Sequence, residues 1–202
     1  MNLTLNVFLA LGGVALVFSA LILRITRNRV SSINVKIAIV LASLVLLLLP
    51  VMSEPLVIYL RGLTGDFSVA MLLLSASTIA SILVQKDFVT TQDKKLFYLM
   101  ITMMSLILYP LSLGWGSIDT YQLGYSFWPI EWVLVALGLL AFSLRAPLTV
   151  VWIATALISY QLSLFESRNL WDYLIDPIVS VIAISSSIVG LFRKKKVMPY
   201  AT

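Results

Sequence analysis

The chain has 202 residues, of which 60% are hydrophobic and 11% charged, and its mean hydropathy is +1.03. That balance excludes a water-soluble core and predicts an all-α membrane protein, a polytopic bundle of about seven helices with short loops forming a single integral domain over residues 1–202. Neither Cys nor His occurs, so disulfide, thiolate, His-ligated metal and Ser-His chemistry are excluded and no cofactor is expected. The net charge of +5 gathers beside the spans rather than marking a nucleic-acid surface.

Residues 3–23 form an apolar run of the roughly 20 residues that a helix needs to cross a bilayer. Arg24, Arg27 and Arg29 follow it, whereas a cleavable signal peptide carries its charge in front. The expectation is therefore an uncleaved first span with its N-terminus outside, and Lys36 belongs to the same inner loop. The second span covers residues 37–52 and closes near Pro50. A connector with Glu54, Tyr59, Arg61 and Asp66 is amphipathic and too short to cross, so it is placed along the outer interface, where Asp66 or Ser68 caps the next helix.

The third span, residues 67–84, repeats small residues four apart, Ala76 with Ala80 and Ser77 with Ser81, a spacing that lets helix backbones approach closely. Lys86, Asp87, Asp93, Lys94 and Lys95 form an inner loop before the fourth span, residues 96–113, where Met100, Met103 and Met104 read as packing filler. Residues 114–129 are the longest polar interruption, an outer loop whose glycines and Pro129 predict a built turn. Spans five and six, residues 130–144 and 148–165, flank a brief inner turn at Arg145 and Pro147. An outer segment, residues 166–176, leads through Pro177 to the seventh span, residues 177–192, in which Ala183 with Ser187 and Ser186 with Gly190 repeat the small-residue spacing. Arg193 and Lys194 to Lys196 stop the chain inside.

With the N-terminus outside, every Lys and Arg except Arg61 and Arg168 lies inside, and every acid except Asp87 and Asp93 lies outside. The spans show no internal repeat, and their centres carry no Asp, Glu, Lys or Arg, which argues against a pump, a retinal Schiff base or an ion-coupled transporter.

Chemistry is concentrated on the outer face. The candidate catalytic residues are Asp119, Asp172 and Asp176, and the candidate binding residues are Tyr59, Arg61, Asp66, Trp115, Tyr121, Tyr125, Trp128, Glu131, Arg168 and Trp171. Trp132 and Tyr173 accompany them. Rings beside carboxylates suit a sugar or polar head group, because rings supply stacking area and acids accept hydrogen bonds. Each signal has a plainer reading. Trp and Tyr form interface belts in membrane proteins generally. Asp119 can close an Asx-turn, Asp176 before Pro177 can cap a helix, and Arg61 and Arg168 can pair with local acids. Asp172 and Asp176, four apart, can share a helix face as acid and base or as cation ligands, although no metal is expected.

The function expected from these residues is that of an accessory or complex subunit in a bacterial cytoplasmic (inner) membrane. Its outer rim would bind membrane lipids, another membrane or extracytoplasmic protein, or a lipid-linked substrate. The alternatives are an outer-leaflet enzyme on a lipid-linked sugar or phospholipid using Asp119, Asp172 or Asp176, and a small facilitator or channel.

Overall fold

A computed structural model describes residues 3–125 and 127–192. Helix α1 (Leu3–Thr26) carries the first apolar run, and α2 (Ile33–Leu48) the second. Helix α2 starts four residues earlier than the apolar pattern suggested, so Lys36 sits on the helix and not in a loop. Pro50 likewise lies beyond it, in a two-stranded hairpin whose strands β1 (Pro50–Val51) and β2 (Glu54–Pro55) pair antiparallel. Met52 turns the hairpin at φ 58°, and the amphipathic connector continues as α3 (Leu56–Thr64).

Helix α4 (Val69–Val84) begins at Ser68, whose hydroxyl accepts from Met71 N, so the cap falls to Ser68 while Asp66 is engaged elsewhere. Helix α5 (Thr91–Ser112) also begins early. Thr90 caps it by accepting from Asp93 N, which draws Asp93, Lys94 and Lys95 out of the expected loop and into the first turns. The chain continues through α6 (Phe127–Ser143), α7 (Pro147–Gln161), the short α8 (Leu170–Leu174) and α9 (Pro177–Phe192). Each predicted span therefore falls on a helix, and among the described residues the hairpin is the one departure from an all-helical chain. Two helices, over Leu5–Thr26 and Thr91–Ser112, are long and apolar enough to cross a membrane, and the other apolar helices are shorter.

The core has two parts. The larger joins α4 to α9 around Trp152, Phe97 and Tyr173. Trp152 packs edge-on against Phe97 at 5.2 Å and donates its indole N–H to Leu174 O at 3.0 Å. The smaller joins α1, α2, α3 and α4 around Val14, Val57 and Phe67, so α4 belongs to both. Its packing runs through Val69, Ala70 and Ser75, whereas Ala76 of the expected small-residue stripe is exposed. On α9 part of the spacing meets a neighbour at Ser187, whereas Gly190 is exposed with open space beside it. Ser180 and Ser187 bridge to Ser105 (2.8 Å) and Thr102 (3.1 Å) of α5, polar clasps on an otherwise apolar seam.

Two buried carboxylates tie helix starts that are distant in sequence. Asp93, on the first turn of α5, accepts from Leu148 N at 2.7 Å, from Thr149 N at 3.4 Å and from Thr149 Oγ1 at 3.1 Å, and so caps α7. Asp176 accepts from Val179 N at 2.8 Å, capping its own helix α9. Its second oxygen takes Ser68 N at 3.0 Å and Ser68 Oγ at 2.7 Å at the start of α4. Helix N-termini present unsatisfied N–H groups and a positive dipole end, and a carboxylate answers both.

Candidate functional site

The end of the bundle that holds the starts of α4 and α9 and the close of α5 carries a cavity of about 380 Å³. Asp66, Tyr109, Ser112, Tyr121, Asp172 and Asp176 are among its lining residues. The loop that supplies Tyr121 is built as the glycines suggested. Helix α5 closes with Gly114 at φ 88°, Gly114 N bonding Leu111 O and Trp115 N bonding Pro110 O, a left-handed cap that suits glycine. Thr120 Oγ1 then donates to Leu108 O at 3.1 Å. Asp119 accepts from Tyr121 N at 2.9 Å, which is the Asx-turn, and it is exposed and apart from the cavity lining.

The loop is fastened to residues 167–171 by Asn169, which the sequence does not advertise, and by Trp171. Asn169 is 0% exposed. Its Nδ2 donates to Tyr121 O at 2.9 Å while its Oδ1 caps α8 by accepting from Trp171 N at 3.0 Å. Trp171, a candidate binding residue, is buried and donates Nε1 to Thr120 O at 2.9 Å, so its ring clamps the loop. Tyr173 stacks on Phe165 at 4.6 Å and its hydroxyl donates to Ser167 O at 3.1 Å, which fixes the approach to α8. Burial pushes the Tyr173 hydroxyl up from its ordinary pKa, against a backbone hydrogen bond from Phe165 that lowers it.

Inside the cavity Asp172 is held by hydroxyls. Tyr121 Oη donates to its two oxygens at 3.2 and 3.0 Å, and Ser167 Oγ donates to Oδ2 at 2.5 Å. Burial first, and the Asp172 charge second, push the Tyr121 pKa well above its usual value, so the phenol keeps its proton and remains a donor. Asp176, by contrast, has both oxygens committed to helix starts. Among the described residues no cluster of acidic side chains has the makings of a metal site.

Arg61 is not in the lining but binds Asp66, which is. Its Nε and Nη2 meet the two oxygens of Asp66 at 2.6 and 3.1 Å, and Nη2 also meets Glu166 at 2.9 Å, tying α3 to the turn that follows α7. The Asp66 bond raises the guanidinium pKa, burial opposes it, and Glu166 adds to the rise. All three side chains keep solvent contact, so Arg61→Gln is expected to cost no more than about 1 kcal/mol, and the cost should shrink as salt is raised. Denaturation at two salt concentrations measures it.

The other candidates spread around the rim. Trp115 is 82% exposed, Tyr59 is exposed, and Tyr125 is exposed while meeting Tyr121 edge-on at 5.8 Å. Arg168 is exposed, and no ion pair joins it to another described residue. Glu131 accepts from Gln161 Nε2 at 3.0 Å, linking α6 to α7 away from the cavity lining. The side chain of Trp128 lies outside the described residues, as do Arg193 and Lys194 to Lys196. The structure thus gathers Asp66, Tyr121, Asp172 and Asp176 around one cavity and leaves Asp119, Trp115 and Tyr59 off it. Tyr109, Ser112 and Ser167 join the lining without having been singled out from sequence.

No family model, no curated protein and no solved structure matches the chain.

Proposed function

We propose that this chain is a multi-pass integral membrane protein of seven helical spans, N-terminus outside and C-terminus inside, in a bacterial cytoplasmic membrane. In this reading it is an accessory subunit whose outward cavity receives the hydroxyl-rich head group of a lipid-linked substrate handled with a partner protein. The membrane reading draws support from large apolar side chains on the outside of the helices, among them Phe8, Val45, Leu106, Leu139, Phe142 and Leu191. Such a surface is unfavourable in water and suited to lipid. The shorter helices, at 15 or 16 residues for α2, α4, α7 and α9, rise about 23 Å, which local thinning and flanking residues reconcile with a core of about 30 Å.

The observation that carries the site reading is the 380 Å³ cavity, with Asp172 presented on its wall by Tyr121 and Ser167. A carboxylate whose oxygens already take hydroxyl donors is an acceptor site, suited to the hydroxyls of a sugar and not to a phosphate, so the head group enters by its polyol part. Leu113, Trp115 and Ile118 stand exposed on the loop above it, an apolar edge for a partner or for the lipid surface.

Native mass spectrometry of the full chain from mild detergent is expected to show a lipid or protein retained at fixed stoichiometry. Asp172→Asn should lower that retention at least about tenfold, the worth of one hydrogen bond to a charged group. A folded variant that retains as much as the wild type would remove the cavity from the binding account. The enzymatic reading narrows to Asp172, because Asp119 is outside the cavity and Asp176 is occupied by helix caps. Turnover of a retained lipid-linked sugar, lost in Asp172→Asn, would select it.

A further inference from the structure

The opposite end of α4 carries a second, unlike site. Helix α2 starts at Ser32, whose side chain makes no capping bond, so the positive end of the helix is left without an acceptor from its own cap. Lys36 lies in the opening turns of that helix, where the dipole disfavours a cation, and it is nevertheless buried, with 7% of its surface exposed. Among the described residues its ammonium has neither a hydrogen bond nor an ion pair. Its stem is packed away while the ammonium itself reaches solvent, so an unpaired cation is held in a fixed place at the mouth of a recess.

Lys36 opens onto two clefts of about 380 and 250 Å³ that share Arg27, Asn28, Lys36 and Gln85 as walls, so they are adjoining parts of one recess. Arg29 lines the larger part. Arg27 donates Nε to Asn28 Oδ1 at 3.3 Å, and neither Arg27 nor Arg29 forms an ion pair with a described residue. Asp87, on the wall of the smaller cleft, lies 3.7 Å from Lys94 Nζ and so is partly neutralised there. Three cations and two neutral amides around a recess constitute an anion cradle.

We propose that the turn between α1 and α2, the first turns of α2 and the end of α4 bind a phosphate group, with Lys36 as the buried anchor and Arg27 and Arg29 as outer clamps. A phosphate fits better than a carboxylate because its several oxygens can meet donors arriving from three directions. The group can belong to a phospholipid head or to a soluble phosphate, and two probes separate these. Phosphatidylglycerol is added to the full chain in mild detergent and its retention counted by native mass spectrometry. Inorganic phosphate is titrated by calorimetry.

Saturable retention of one phosphatidylglycerol with no phosphate heat assigns the site to a lipid head, and saturable phosphate heat assigns it to a soluble ligand. In either case Lys36→Met should weaken binding at least about tenfold, and Arg27→Gln, at an exposed position that does not bear on folding, about threefold to tenfold. Lys95→Gln, which alters an exposed cation outside the recess, should change it less than about twofold. The proposal is overturned if neither probe binds saturably, or if Lys95→Gln weakens binding as much as Lys36→Met and Arg27→Gln do.

Discussion

Asp93→Ala is expected to destabilise the protein by about 4 kcal/mol, the scale of stranding a buried set of donors that had met a charge. Asp93 is 1% exposed, and its removal leaves Leu148 N, Thr149 N and Thr149 Oγ1 without their acceptor at the start of α7. Water cannot replace it there without opening the junction between α5 and α7. Asp93→Asn keeps one oxygen as acceptor but brings an N–H₂ toward donors, so it should fall between wild type and Ala. Unfolding by denaturant in mild detergent, followed by circular dichroism, gives the ranking. A cost below about 1 kcal/mol for Asp93→Ala would mean that the α7 start is satisfied by other means. Thr90→Ala is the inexpensive neighbour, since it removes a single N-cap bond from Asp93 N.

Gly124→Ala is the second large effect, and it acts on the cavity as well as on stability. A Cβ on Gly124 would stand 1.8 Å from Asn169 Oδ1 and 2.7 Å from Trp171 Cδ1. Asn169 cannot retreat without giving up Tyr121 O or the α8 cap, and Trp171 cannot without giving up Thr120 O. The loop must therefore lift, at about 2–4 kcal/mol for the overpacking and the lost bonds. Tyr121 lifts with it and releases Asp172, so the lipid retention proposed for this cavity should fall together with stability. Gly62→Ala is the matched control. Its Cβ meets nothing within 4 Å and it lies in α3, so it should be neutral or stabilise by up to about 1 kcal/mol. If Gly124→Ala unfolds at the same denaturant concentration as Gly62→Ala, the clamp does not hold the loop.

The parts of this molecule that are written locally in the sequence can be read there. Apolar runs place the helices, Gly114 closes α5, Asp119 meets an N–H two residues on, and Asp66 meets Arg61 five residues back. Helix starts are harder to read, and the reason is visible at Thr90. Polarity suggested that Asp93, Lys94 and Lys95 belong to a loop, but a cap and a burial partner hold them in helical turns. What escapes is pairing over long separations. Nothing near Asp93 in the chain points to Thr149, and nothing near Asn169 points to Tyr121 or to the missing side chain at Gly124. Lys36 illustrates the same limit from the other side, because a basic residue near a span reads as interfacial until the packing of α1, α2 and α4 buries it. Trp171 shows that residue type alone does not separate a ring that binds from a ring that clamps.

The double cap made by Asp176 also has a meaning in time. A ribosome makes Ser68 long before it makes Asp176, which follows 108 residues later in the sequence. Until then the start of α4 has its own serine hydroxyl as a cap but lacks the carboxylate that engages Ser68 N. The growing chain therefore holds an unfinished joint beside the nascent cavity, and the arrival of α9 completes both together. Closure of the cavity therefore waits on residues made well after α4 and α5, so its walls form early and are joined only once Asp176 and α9 arrive.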